Sequence, residues 1–246
     1  MRKVQFLEYG LIASEEKAFG ATFSRQGGIS TGAYASLNVS SFVGDHPACV
    51  KSNREKVRVA SKMEKVIYLR QVHGNTIIEI NKENQDQIFE ADALFTMEKK
   101  IGLAITHADC QAALFFDPNK MAIAAVHAGW RGQMQNIYAR MVSYFKTRVN
   151  SNSADIRVCI SPSLGPDYAE FTNYQNEIPS EYWDYRRNNN HFDLWQLAKS
   201  QLVIAGVREK NIHIAKLCTY SHAKDYYSFR REKLTGRNAT LIGLIL

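Results

Sequence analysis

Two imidazoles and a thiol, His73, Cys110 and His127, are the side chains of this sequence best suited to hold a metal ion. Imidazole nitrogen and thiolate sulfur are the donors that zinc and copper sites use. The three lie far apart in the chain with no CxxC or HxH run between them, so only the fold could join them. The stretch around the second and third suggests how. Asp117-Pro118-Asn119-Lys120 is a turn signal with proline at its second position. If Asp117 faces Lys120 across an antiparallel pair, Phe116 faces Met121 and Cys110 faces His127, with Cβ atoms about 4.5–5.5 Å apart. That separation suits two ligands of one small cation, and a one-residue slip would send them to opposite faces. His73 ends an apolar run in Gln71-Val72-His73-Gly74-Asn75, where a single histidine is more often structural than a ligand.

Neighbouring residues could assist. Asp109, beside Cys110, is a candidate proton shuttle or orienting carboxylate, and equally a turn-capping one. His127 runs into Gly129-Trp130-Arg131-Gly132, where glycines allow close backbone approach before a helix expected to begin near Gln133. Arg131 adds a positive charge there. Arg25 and Arg131 are candidates for binding phosphate, since a guanidinium offers paired donors to its oxygens.

These residues need a framework. Short runs rich in β-branched residues predict strands over Lys65–Val72, Thr76–Ile80, Ile101–Thr106, Gln111–Asp117, Lys120–His127, Asp155–Ile160 and Ala239–Leu246. Helical periodicity predicts Pro47–Lys62, Gln133–Arg148 and Phe192–Ala205. Strands and helices mix without strict alternation. The expectation is an α/β (α+β) single domain over residues 1–246, with a central mixed β-sheet flanked by helices.

Composition narrows the function classes. With 45% apolar and 22% charged residues, the chain has the balance of a globular protein. The first residues lack the apolar run of a signal peptide, and no stretch reaches the ~20 apolar residues that span a bilayer. Four scattered cysteines read as reduced thiols in a cytoplasmic protein without membrane partners. The net charge of +7 is spread out, with no basic stripe interleaved with aromatics, which argues against nucleic acid and leaves a phosphate-using substrate as an explanation.

The ordered run of Phe23-Ser24-Arg25-Gln26-Gly27-Gly28-Ile29-Ser30, Ser36-Leu37-Asn38, Gln71-Val72-His73-Gly74, Ala91-Asp92-Ala93, Ala108-Asp109-Cys110-Gln111, His127-Ala128-Gly129-Trp130-Arg131-Gly132, Ser228-Phe229-Arg230-Arg231 and Thr235-Gly236-Arg237 resembles the YfiH/YlmD family, long called the multicopper polyphenol oxidase or laccase-domain family. The resemblance spans nearly the whole chain. It implies a central mixed sheet and a catalytic zinc on His73, Cys110 and His127. It also implies purine nucleosides and phosphate as substrates: phosphorolysis of adenosine, inosine, guanosine or methylthioadenosine, with adenosine deamination besides. Asn38, in a matched segment, joins Arg25 and Arg131 as a candidate substrate-binding residue. Two departures bear on substrate preference. His107 stands where the family usually has threonine, and Gly165-Pro166-Asp167-Tyr168-Ala169-Glu170 replaces Gly-Pro-Cys-Cys-Tyr-Glu.

Three protein ligands and an open position describe a catalytic zinc. The usual deaminase pattern, H-x-E with P-C-x-x-C, is missing, so deamination here would need another site architecture. Copper is the alternative metal, but a multicopper polyphenol oxidase needs many histidines and this chain has seven. A further alternative makes Cys110 a nucleophile paired with His127, in an amidase that edits peptidoglycan precursors. Gly28-Ile29-Ser30-Thr31-Gly32 matches G-x-S-x-G, yet the turn-like residues after it do not suit a nucleophile elbow.

Overall fold

The structure, a computed structural model, describes residues 3–245; Met1 and Arg2 of the chain start, and Leu246 at the end of the last expected strand, lie outside the described residues. The chain opens with β1 (Phe6–Glu8), α1 (Gly10–Ala13), β2 (Ala18–Phe23), α2 (Pro47–Ser61), β3 (Lys65–Tyr68) and β4 (Ile77–Glu79). It continues through β5 (Ala93–Thr96), β6 (Ile101–His107), β7 (Gln111–Asp117), β8 (Ala122–Ala128), α3 (Trp130–Met134) and α4 (Ile137–Val149). The last part holds β9 (Arg157–Ile160), α5 (Tyr174–Glu177), α6 (Leu194–Ile204), β10 (Ile212–Ile214), α7 (Phe229–Glu232) and β11 (Asn238–Leu244). No helix among the described residues is long and apolar enough to cross a membrane.

The strands form two mixed sheets where a single central one was expected. One runs β1-β2-β11-β6-β3, the other β10-β9-β7-β8-β5-β4. Alternation along the strands explains their stacking. Leu103 and Ile105 of β6, Ile242 of β11, Leu114 and Phe116 of β7, and Ile123 and Ala125 of β8 share one buried cluster between the sheets. The residues of opposite parity face outward. Phe115 and Val126 meet Tyr138, Met141 and Phe145 of α4 and Leu202 of α6. Ala21, Phe23 and Leu241 meet Val57 and Met63 from the α2 side. Helix, sheet, sheet and helix therefore make four layers, an α/β arrangement in which both sheets are buried on both faces.

The hairpin that carries Cys110 and His127 differs in register from the expectation. Asp117 pairs with Ala122, Phe116 with Ile123 and Ala112 with His127. The cause is the Asp117 carboxylate, whose Oδ1 accepts from the backbone N–H groups of Asn119 and Lys120, at 2.8 and 3.1 Å. Met121 then closes a four-residue loop at φ 50°. The shift is two residues, not one, so Cys110 and His127 keep a common face as diagonal neighbours. The residue that meets the Cys110 thiol across the strands is Gly129.

The helix expected from Gln133 to Arg148 is two helices. Asn136, at φ 53°, breaks it and caps α4 by accepting from Ala139 N–H at 3.1 Å. The preceding short helix starts at Trp130, three residues after the metal-ligand candidate His127. Ser30 of the G-x-S-x-G stretch donates its hydroxyl to Asp45 at 2.6 Å and precedes no α-helix, so it serves a loop and not an elbow.

Candidate metal centre

At the edge of the sandwich, β6 ends and the chain crosses to the other sheet through Ala108-Asp109-Cys110. His127 is the penultimate residue of β8, and His73 stands in the loop after β3. These segments surround one cavity of about 800 Å³, lined among others by His73, Asp109, Cys110, His127, Trp130 and Arg237.

His127 is 2% exposed and points into the layer between the sheets, sharing the parity of Ile123 and Ala125. Its Nδ1 donates to Asp92 Oδ1 at 2.8 Å, and its backbone N–H donates to Asp92 O at 2.7 Å. That leaves Nε2 for the cavity. His73 adopts φ 60°, a left-handed turn that the same carboxylate secures. Asp92 Oδ1 accepts from His73 N–H at 2.9 Å and Oδ2 from Gly74 N–H at 2.6 Å. The two imidazole rings end with centroids 4.8 Å apart. Upstream, Gln71 fastens the loop to β6 through paired 2.8 Å bonds to the backbone of Thr106.

A fully buried aspartate thus holds both histidines, and sequence reasoning gave it no role. Ligand atoms of His73, Asp92 and His127 lie within 4.8 Å of one another, which puts Asp92 where Cys110 was expected as the third member. Asp92, however, has both oxygens committed to N–H donors, and a carboxylate bonded to the far nitrogen of a metal-binding histidine is a common orienting device. The Cys110 sulfur lies near enough to the His127 ring to raise its basicity. A Cβ added to Gly129 would sit 3.4 Å from Cys110 Sγ, 3.5 Å from His127 Cε1 and 3.6 Å from His73 Nδ1. The space among these three groups is open because residue 129 has no side chain. Two imidazoles and a thiol around the room left by Gly129 are donors that suit a borderline cation such as zinc or copper.

Charges follow from this packing. Burial opposes protonation of His127, but the Cys110 sulfur and the Asp92 carboxylate outweigh it and push the imidazole up to about 9. Burial and the neighbouring His127 hold His73 below the ordinary imidazole range. Burial raises the Asp92 carboxyl, yet bonds from His127, Gly74 and His73 prevail and keep it below its ordinary value.

The other expected residues divide. Asp109 lines the cavity at φ 96°, with Oδ1 accepting from Thr219 Oγ1 at 2.6 Å and Oδ2 from Arg230 N–H at 2.6 Å. Both oxygens are engaged, one with the Thr219 turn and one with the first turn of α7. Arg25 stacks 4.4 Å over Tyr227 and donates to Ala35 O, Ala223 O and Glu232, away from the cavity lining. Asn38 is fully buried in a loop network with Ser40, Asp45 and Arg237 N–H. Arg131 lies exposed over Trp130 at 4.3 Å. None of these three lines the cavity. The arginines that do are Arg70, Arg230 and Arg237. Arg70 pairs with Glu90, whereas Arg230 and Arg237 donate only to backbone carbonyls of Glu170, Thr235 and Gly236. Trp130 and Phe171, edge to face at 6.1 Å, supply an aromatic wall.

The description of a multi-copper polyphenol oxidoreductase laccase family fits residues 20–245. Among curated relatives, the purine nucleoside phosphorylase YfiH of Escherichia coli is 31% identical, covering 90% of this chain and 92% of that protein. The purine nucleoside phosphorylase YlmD of Geobacillus stearothermophilus is 32% identical over 89% and 88% of the respective chains. The crystal structure of YlmD from the same organism superposes with a TM-score of 0.88 at 28% identity, over 97% of this chain and 94% of that one. A Bacillus licheniformis protein, YfiH, gives 0.86 at 27% identity over 92% of each.

Proposed function

The chain belongs to the multi-copper polyphenol oxidoreductase laccase family, and we propose that it is a cytoplasmic, single-domain purine nucleoside phosphorylase that depends on zinc. The observation that carries this is the pairing, in one cavity, of the His73, Cys110 and His127 cradle with two arginines that meet no carboxylate among the described residues. The names of the relatives point the same way.

In this reading, Arg230 and Arg237 bind phosphate, with Asp109 fixing the backbone of Arg230. Trp130 and Phe171 offer aromatic faces to the purine. A phosphate oxygen bonds to the ribose C1′ as the glycosidic C–N bond breaks and its electron pair leaves with the base. His73, Cys110 and His127 would hold the zinc, with Asp92 orienting both histidines; when bound, the ion would supply Lewis acidity. Adenosine, inosine, guanosine and methylthioadenosine share the purine nucleoside core and are the proposed substrates. Adenosine deamination, in which water adds at C6, the C6–N bond breaks and ammonia leaves to give inosine, is the second activity we assign to the cavity. Copper-dependent polyphenol oxidation fits less well. Of the seven histidines, only His73 and His127 belong to a donor group among the described residues.

One observation favours a different chemistry. Cys110, His127 and Asp92 in sequence read as nucleophile, base and orienting carboxylate, the layout of a thiol amidase acting on peptidoglycan precursors. Chromatography of an adenosine digest separates the readings. Adenine released only with phosphate supports phosphorolysis, and inosine without phosphate supports deamination. A digest unchanged in both, with the protein labelled at Cys110 by iodoacetamide and free of metal, supports the amidase.

A further inference from the structure

Between the two sheets runs a single file of buried polar atoms. Tyr9 Oη lies 2.6 Å from Thr22 Oγ1, Thr22 Oγ1 lies 2.7 Å from Thr240 Oγ1, and Thr240 Oγ1 lies 2.7 Å from His107 Nε2. None of the four residues is more than 2% exposed. Among the described residues, these oxygens have no other side-chain or backbone partners.

Proton counting favours one direction along this chain: an order starting from His107 Nε2–H would leave both the Tyr9 hydroxyl proton and Nδ1 unmatched, whereas an order starting from Tyr9 leaves only one group unmatched, at His107 Nδ1. Three bonds need three protons, and the three hydroxyls supply them. Tyr9 sits at the end with Thr22 as its only partner, so its proton finds an acceptor only if Tyr9 donates to Thr22. Thr22 must then donate to Thr240, and Thr240 to His107 Nε2. A neutral imidazole that accepts at Nε2 carries its proton on Nδ1. Burial keeps His107 neutral, pushed down to about 3. Its Nδ1 is itself buried and has no partner among the described residues, in a side chain that lines the cavity. The result is a buried donor without an acceptor, and such groups rarely stay unmatched.

The surroundings indicate which acceptor is missing. His107 is the cross-strand partner of Asn238, so Arg237 stands at the same end of the sheet, and it too lines the cavity. We propose that His107 is a phosphate-binding residue, its Nδ1–H donating to an anionic oxygen that the Arg237 guanidinium also contacts. The identification of phosphate as that anion rests on the phosphorolysis reading; the tautomer does not.

The test uses the intact, zinc-loaded protein labelled with ¹⁵N-histidine, its His107 signals identified by their loss in His107→Asn. Two-bond ¹⁵N–¹H couplings must show the proton on Nδ1; a proton on Nε2 overturns the donor assignment. Inorganic phosphate must shift that Nδ1 resonance while adenosine alone leaves it in place. No phosphate response, or an equal response to adenosine, overturns the ligand. In turnover assays, His107→Gln keeps a group for Thr240 but loses the donor, so KM for phosphate rises roughly tenfold or more with KM for nucleoside unchanged. His107→Asn, which places an amide N–H near the Nδ1 position, restores most of it. If nucleoside is cleaved and His107→Gln leaves the phosphate KM unchanged, phosphorolysis stands and this role falls. If phosphate shifts Nδ1 but no nucleoside is cleaved, the donor stands and phosphorolysis falls.

Discussion

Asp92→Asn is the substitution that most directly probes how the histidines are held. The native carboxylate accepts three N–H donors, from His127 Nδ1 at 2.8 Å, His73 N at 2.9 Å and Gly74 N at 2.6 Å. An asparagine can keep its oxygen toward His127 and His73, but then its NH2 faces the Gly74 N–H, donor against donor. The charge that strengthens the remaining bonds is also gone. Hydrogen bonds to a charged group contribute about 1.5–3 kcal/mol each, so losing one and weakening two predicts destabilisation of about 2–4 kcal/mol. At this chain length that lowers Tm by roughly 4–15 °C. With the His73 turn loosened and the His127 ring free to rotate, zinc affinity falls about 10–100-fold. Thermal unfolding of metal-stripped protein and competition against a chromophoric chelator measure the two effects separately. An Asp92→Asn protein that melts with the wild type and binds zinc equally well would refute this account of the carboxylate.

Gly132 packs α3 on the His73 turn, and a Cβ there would lie 2.9 Å from Gly74 O. Gly132→Ala should therefore cost about 1–3 kcal/mol in thermal unfolding and weaken zinc binding in the same samples. Arg237→Gln should raise KM for phosphate with little change in KM for nucleoside; the reverse pattern would assign Arg237 to the base or ribose. The metal-stripped protein should be most stable between two flanks. Asp92, depressed in the folded state, stabilises above its unfolded value near 3.8, and that contribution is lost as pH falls through the folded value. His127, raised to about 9 from 6.5, stabilises fully below 6.5, and its share is lost as pH rises through about 9. In His127→Ala the alkaline flank flattens, which urea titrations at a series of pH values detect.

The site was partly legible in the sequence because strands alternate. His127 and Cys110 could be placed on one face from the turn at Asp117 alone, and a two-residue error in register left that conclusion standing. The size of the loop was not legible, because it depends on a side-chain bond from Asp117 that competes with the plain two-residue turn. The pairing of two sheets was hidden for a similar reason. Ala18–Phe23, Ala93–Thr96 and the short end strands are too brief or too rich in alanine and glycine to announce themselves. Asp92 stood in one of the segments that carry the family resemblance but received no role, because it precedes one of those missed strands and nothing local shows that its carboxylate reaches His73 and His127. Arg25, Asn38 and Arg131 looked apt for substrate by residue type, and only tertiary structure reveals that the donors of Arg25 and Asn38 are engaged elsewhere and that Arg131 lies exposed over Trp130, outside the cavity lining.

The central claim is that His73, Cys110 and His127 close on one ion. Elemental analysis of the purified chain, beside Cys110→Ala and His127→Ala prepared in the same way, tests it most directly. One zinc per chain in the parent, falling to a small fraction in both variants, is the predicted result. Full metal content in either variant, or several coppers per chain in the parent, would contradict it.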